Sequence, residues 1–157
     1  GATIANNGTQ TGFGETNTPY FLATLSGDQD IGYTGVWTKI SMASEIHDSA
    51  GAYDTSNYRF TPQTAGKYFV FSTLQFEATA NSNQTPKYKS AIYKNGSIHR
   101  KAYFDQYDNY LAYAKTPYLA CSVTLDDDDY ISVWWYHTAT AGTHLSAQSW
   151  FSGFRIA

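Results

Sequence analysis

The stretch Tyr53 to Phe76, YDTSNYRFTPQTAGKYFVFSTLQF, constrains what this chain can fold into more than any other. Its second half opens Lys67 to Thr79, the longest strand candidate. That segment is apolar on both alternating faces, with Tyr68 and Val70 on one and Phe69 and Phe71 on the other. Successive side chains of a strand point to opposite faces, so a strand that is bulky and apolar on both must be kept from water on both, as a central strand is. Upstream, Tyr58 to Thr61 reads as a short strand of aromatic and β-branched residues, and Pro62 ends it. Gln63 to Gly66 reads as a tight turn in which Gly66 supplies the backbone freedom.

The remaining segments repeat this grammar. Tyr20 to Leu25 predicts a buried first strand, Ser26 to Asp30 a turn, Trp37 to Ile46 one or two short strands, and Asp48 to Gly51 another turn. Tyr88 to Tyr93 and Ser97 to Phe104 flank Asn95-Gly96, a strong hairpin signal. Pro117 to Leu125 alternates cleanly, Asp126 to Asp129 turns the chain, and Tyr130 to His137 is bulky on both faces. Thr138 to His144 reads as a loop, and Ser149 to Ile156 closes the sheet. About ten short strands separated by turns, without a helix or a repeat, predict an antiparallel β-sandwich of the jelly-roll kind. Residues 1–18 are rich in Gly, Thr and Asn and read as a flexible linker or stalk end, leaving 19–157 as one domain.

Composition narrows the function classes. A chain of 157 residues can bury a sufficient core without cross-links, and a single cysteine, Cys121, excludes an intrachain disulfide framework. Cys121 falls in the alternation Leu119, Cys121, Val123, Leu125, which makes it a small core residue. A net charge of −3 argues against nucleic acid as a partner, and no apolar run is long enough for membrane insertion. Fourteen tyrosines are more than one core of this size can hold, and Tyr is favoured at interfaces, which points to an oligomer.

The spacing Asp48, Tyr53, Phe60, Gly66, Tyr68 resembles the core pattern of the complement C1q globular head, a family that shares its jelly roll with tumour necrosis factor. Trp150-Phe151-Ser152-Gly153-Phe154 is similar to that family's last strand and Ala91 to Gly96 to its middle hairpin, so the resemblance spans roughly Tyr20 to Ala157. Met42, Val70 and Ser72 depart from it, standing where the family more often has aromatics. The wording of Tyr53 to Tyr68 is most similar to C1q-type domains in structural proteins of tailed phages. The resemblance implies a compact homotrimer with Tyr68 to Phe76 near its axis. The residues it assigns to core and trimer are Tyr53, Phe60, Gly66, Tyr68, Val70, Phe71, Phe76, Trp134, Phe151, Gly153 and Phe154. It further implies an extracellular, non-enzymatic head on a virion surface, as a fibre tip or decoration. The alternative is a secreted animal C1q-domain lectin or immune-recognition protein.

The richest loop, Tyr103 to Tyr113, interleaves phenols with acids and amides. Tyr103, Asp105, Tyr107, Asp108, Asn109, Tyr110 and Tyr113 are the candidate ligand-binding residues, suited to a cell-surface glycan or protein. Asp105 is the calcium candidate, because Asp105-Gln106-Tyr107 is similar to a loop in which some C1q-type trimers hold calcium; the family's second aspartate has no counterpart among Ser97 to Lys101. Asp126 to Asp129 alternate in direction and read as a solvated turn. His47, His99, His137 and His144 lack zinc-ligand spacing and read as surface polar residues. Catalysis finds no nucleophile elbow, no metalloprotease helix and no phosphate cradle, and the glutamates Glu15, Glu45 and Glu77 lie in unrelated segments. No cofactor is required by this reading.

Overall fold

The structure, a computed structural model, describes residues 3–4, 10–11, 18–32, 35–78, 87–105, 116–139 and 143–156. Its strands in chain order are β1 (Thr3–Ile4), β2 (Gln10–Thr11), β3 (Tyr20–Thr24), β4 (Gln29–Asp30), β5 (Thr38–Lys39), β6 (Ser44–Asp48), β7 (Tyr53–Asp54) and β8 (Arg59–Phe60), followed by β9 (Gly66–Thr73), β10 (Phe76–Ala78), β11 (Lys87–Lys94), β12 (Ser97–Asp105), β13 (Tyr118–Leu125), β14 (Ile131–His137), β15 (Thr143–Leu145) and β16 (Trp150–Arg155). No helix occurs among the described residues.

Two antiparallel sheets form the sandwich. One has the order β13-β9-β16-β3-β6; the other has β12-β11-β14-β8-β7, with β5 also paired to β14. A small sheet, β10-β15-β4, closes one end, and β1 pairs with β2. The all-β antiparallel jelly roll expected from the pattern of short strands and turns is the observed fold.

The core lies between the inner faces and is organised by stacked rings. Phe21 of β3 lies 4.3 Å from Phe60 of β8 and 5.3 Å from Tyr53 of β7, with Phe151 of β16 edge-on at 4.8 Å. At the other end Phe76 stacks on Tyr88 at 4.3 Å and leans on Trp135 at 5.2 Å. All of these are buried, and each such side chain withdrawn from water contributes roughly 1.5–3 kcal/mol. Polar atoms fix the turns around them. Asp48 accepts hydrogen bonds from the Ala50 and Tyr53 amides at 3.1 and 2.6 Å, and the Tyr53 hydroxyl donates to the Met42 carbonyl at 3.0 Å. At the β11–β12 hairpin Asn95 and Gly96 both have positive φ, 50° and 78°, the pair of angles that a two-residue type I′ turn requires.

Several expectations are corrected. The long strand is not continuous to Thr79: β9 ends at Thr73. The Leu74 amide donates to the Pro117 carbonyl and the Gln75 amide to Ser149 Oγ, and Phe76 then pairs with Leu145 in the closing sheet. Burial of Leu74 draws the chain across the end of the sandwich. Gly66 is not a turn residue with positive φ; it opens β9 opposite Leu125, and the bend at Gln63 and Thr64 is pinned by the Tyr68 hydroxyl donating to the Thr64 carbonyl at 2.6 Å. Gln29–Asp30, read within a turn, and Thr143 and His144, read within a loop, lie in strands: His144 pairs with Asp30 and Leu145 with Gln29, and the buried Leu145 also pairs with Phe76 on its other side. His137 is not a surface residue but is buried inside β14, where desolvation lowers its pKa, opposed by hydrogen bonds to backbone groups of Ile31, Ala139 and Gly32.

Candidate functional site

The outer face of the β13-β9-β16-β3-β6 sheet is the most unusual surface of the molecule. Opposed residues of an antiparallel pair share a face. The register therefore sets Ser122, Phe69, Phe154 and Tyr20 in one row and Ala120, Phe71, Ser152 and Leu22 in the next. A third row is Tyr118, Thr73, Trp150 and Thr24. No charged side chain stands in these rows. Phe71 contacts Trp150 edge-on at 5.4 Å, Phe69 at 5.8 Å and Phe154 at 6.4 Å, and Phe69 contacts Phe154 at 5.9 Å. Phe69 is 37% exposed, Tyr20 46% and Tyr118 74%. The sequence asks for water to be excluded from both sides of β9. Within one chain only the Tyr68 and Val70 side is covered, so the aromatic outer face is apolar surface of a kind that marks an interaction site.

The residues assigned to core and trimer divide along this boundary. Tyr53, Phe60, Tyr68, Val70, Phe76, Phe151 and Gly153 are buried between the sheets, whereas Phe71 and Phe154 are half-buried on the outer face. Gly66 is half-buried at the start of β9. Trp134 lies elsewhere, half-buried on the outer face of the second sheet and stacked on Tyr93 at 4.6 Å.

Of the candidate ligand-binding residues, Tyr103 is 57% exposed near the end of β12. The side chain of Asp105, together with Tyr107, Asp108, Asn109, Tyr110 and Tyr113, lies outside the described residues. Sequence reasoning passed over the partners of Tyr103 on the second sheet, Lys89 and Lys101, because isolated lysines on a strand give no motif.

The acidic turn is partly consumed by structure. Asp129 is buried and ion-paired to Lys94 Nζ at 2.6 Å, and it accepts from Asn95 Nδ2 at 2.6 Å and from the Asp126 amide at 2.8 Å. The bond to Lys94, helped by these others, holds its carboxyl at about 2, well below the usual range. Asp129 thus ties the β13–β14 turn to the β11–β12 hairpin, while Asp126 to Asp128 are exposed. Among the described residues no three His, Cys, Asp or Glu side chains come together as a metal would need.

Two shallow depressions offer little for catalysis. One, of about 280 Å³, carries a single carboxylate, Asp54, which accepts from the Ser56 and Asn57 amides and from Asn57 Nδ2. The hydrogen bonds from Asn57, foremost among its influences, lower its pKa, which is the wrong direction for a general acid. The other, of about 230 Å³, contains His99, whose Nε2 lies 3.2 Å from the Ser122 carbonyl. His144 Nε2 stands 3.6 Å from Glu77 and 3.9 Å from Asp28, a loose surface cluster. No helix among the described residues is long and apolar enough to cross a membrane.

The fold itself has known counterparts. The structure matches the globular domain of the zebrafish complement 1qA protein with a TM-score of 0.63 and 12% identity, over 89% of this chain and 98% of that one. It also matches the Eiger tumour necrosis factor from S. frugiperda with a TM-score of 0.58 and 11% identity, over 88% of this chain and 91% of that one. No family model matches the sequence, and no curated protein does. The likeness lies in the path of the backbone: this is the jelly roll of the C1q and tumour necrosis factor domains.

Proposed function

We propose that this chain is a non-enzymatic head domain that assembles as a homotrimer and recognises a cell surface, or stabilises the particle that carries it. The observation that carries the proposal is the uncharged aromatic face of Phe69, Phe71, Trp150 and Phe154, which a single sandwich leaves open. Three copies packed around an axis would cover it, and would present three weak recognition sites together, raising avidity without new contacts. Among the described residues, the depressions at Asp54 and His99 bring no acid–base pair together.

The setting we propose is the surface of a phage virion, as a fibre tip or decoration. Its support is the wording of Tyr53 to Tyr68 and a core built without disulfides. The second reading, a secreted animal lectin or immune-recognition protein, is favoured by one observation: both fold counterparts named above come from animals.

Light scattering of the purified chain at micromolar concentration tests the assembly; three chain masses are expected, and a monomer would end the proposal. Competition between the purified chain and intact phage for host cells tests the setting, with blocked adsorption favouring the virion reading. Calcium enters through Asp105 alone, since Asp129 is already taken by Lys94. Unchanged melting with calcium or chelator is expected; a rise with calcium that Asp105→Asn abolishes would assign that residue as a ligand.

A further inference from the structure

The outer face of the β12-β11-β14 sheet, with β5 at its edge, carries a grid in which lysines alternate with aromatic rings. The register aligns Tyr103, Lys89 and Tyr136 in one row. It aligns Lys101, Ala91, Trp134 and Lys39 in the next. Lys89 Nζ lies 4.1 Å from the Tyr136 ring centroid and 5.2 Å from that of Tyr103, and Lys101 Nζ lies 5.3 Å from Tyr103.

Neither Lys89 nor Lys101 makes an ion pair with a carboxylate among the described residues. Asp105, the acid that the register brings to this edge, stands opposite Lys87. A chain with net charge −3 therefore sets two ammonium groups, without a carboxylate partner among the described residues, beside an exposed aromatic ring. Cation–π contacts at exposed sites are weak. They are enough to pre-align the lysines on a flat sheet, and too little to hold them from an anion that hydrogen-bonds them directly, since hydrogen bonds between charged groups are the stronger contact.

We infer that this grid binds an acidic oligosaccharide, one sugar face lying on the Tyr103 ring and a carboxylate or sulfate held between Lys89 and Lys101. The flat faces of aromatic rings suit the C–H faces of sugars, and two neighbouring cations match a ligand with one or two charges. A nucleic acid strand would need a longer basic track than this face offers. The inference rests on the recognition role proposed above for its class of partner, and not on the trimer.

Calorimetric titration of the intact chain with tetragalacturonate, a heparin-derived tetrasaccharide and maltotetraose, in low and high salt, tests it. Binding of either acidic sugar is expected, weakened by salt, and the two separate carboxylate from sulfate recognition. Lys89→Gln with Lys101→Gln should weaken that binding roughly tenfold or more, and Tyr103→Ala should weaken it as well. Lys101→Gln alone, at an exposed position, serves if the double variant melts early. No binding of either acidic sugar, equal binding of maltotetraose, unchanged affinity in the lysine variants, or tighter binding of a short oligothymidylate would each overturn the inference. Light scattering on the same samples separates it from the assembly: a trimer that ignores acidic sugars refutes only the grid, and a monomer that binds them refutes only the trimer.

Discussion

Gly153 on β16 lies opposite Val70 on β9 so closely that a Cβ at residue 153 would stand 2.8 Å from Val70 Cγ1. The Phe21 ring and the Phe69 carbonyl would each be 3.1 Å away. The missing side chain lets the two central strands and the Phe21 ring share one layer. Valine is stiff at χ1 and the carbonyl belongs to a laddered strand, so neither can retreat cheaply. Gly153→Ala should destabilise the domain by about 1–3 kcal/mol, the usual cost of overpacking. Urea unfolding measures it. Val70→Ala added to Gly153→Ala should cost less than the two changes summed, because the second opens the space the first needs.

That contact also marks how far the sequence can be read. Alternation set Tyr68 with Val70 on one face of the strand and Phe69 with Phe71 on the other, and the resemblance assigned Tyr53, Phe60 and Tyr68 to the core, where Tyr53 and Phe60 stack on Phe21 and Tyr68 meets Phe60 edge-on. Alternation is a local signal with a period of two, and it survives folding because it keeps one set of residues on the buried face. The break at Leu74 was not legible: residues 67 to 79 alternate without interruption, and what ends β9 is a carbonyl 43 positions away, that of Pro117. The lysine grid was hidden for the same reason, since Lys89, Lys101 and Tyr136 become neighbours only through the register of three strands.

Asp129 gives the domain an acid limit. Its carboxyl is held at about 2, chiefly by Lys94. A depressed carboxylate contributes stability that is present above its unfolded value and is lost as pH falls through the folded one. Asp129→Asn should therefore lower the melting temperature at neutral pH and flatten its fall between pH ~4 and ~2. At the acid end variant and parent should converge. A parallel loss of stability at every pH would show that the residue acts through packing rather than charge.

The buried phenols set the opposite limit. Burial pushes Tyr88 to about 12, and burial with the nearby charges of Asp54 and Glu45 raises Tyr53 as well. A phenol raised on folding contributes stability that is full below its unfolded value and is lost as pH climbs through the folded one. The domain should accordingly weaken from about pH 10 to 12. The Tyr88 hydroxyl is buried and makes no hydrogen bond among the described residues, so Tyr88→Phe should be close to neutral at pH 7. It should move the alkaline midpoint upward. Tyr53→Phe instead forfeits the bond to the Met42 carbonyl and should cost about 1 kcal/mol at neutral pH. Melting curves against pH distinguish the two variants.

Phe71 is the residue on which the proposed trimer turns. It sits between Phe69, Trp150 and Phe154 at the centre of the uncharged outer face, and its strand neighbours Val70 and Ser72 point into the core. A glutamate at 71 stays solvated in the single chain, but in a packed trimer it would bring three carboxylates into an apolar contact, where each loses its hydration without gaining a partner. Phe71→Glu should thus give a folded monomer, with an unchanged circular dichroism spectrum and one chain mass by light scattering. Phe71→Leu keeps the face apolar and should stay trimeric. If Phe71→Glu remained trimeric, the copies would have to meet through another face, and the exposed aromatics beside β9 would need a different partner.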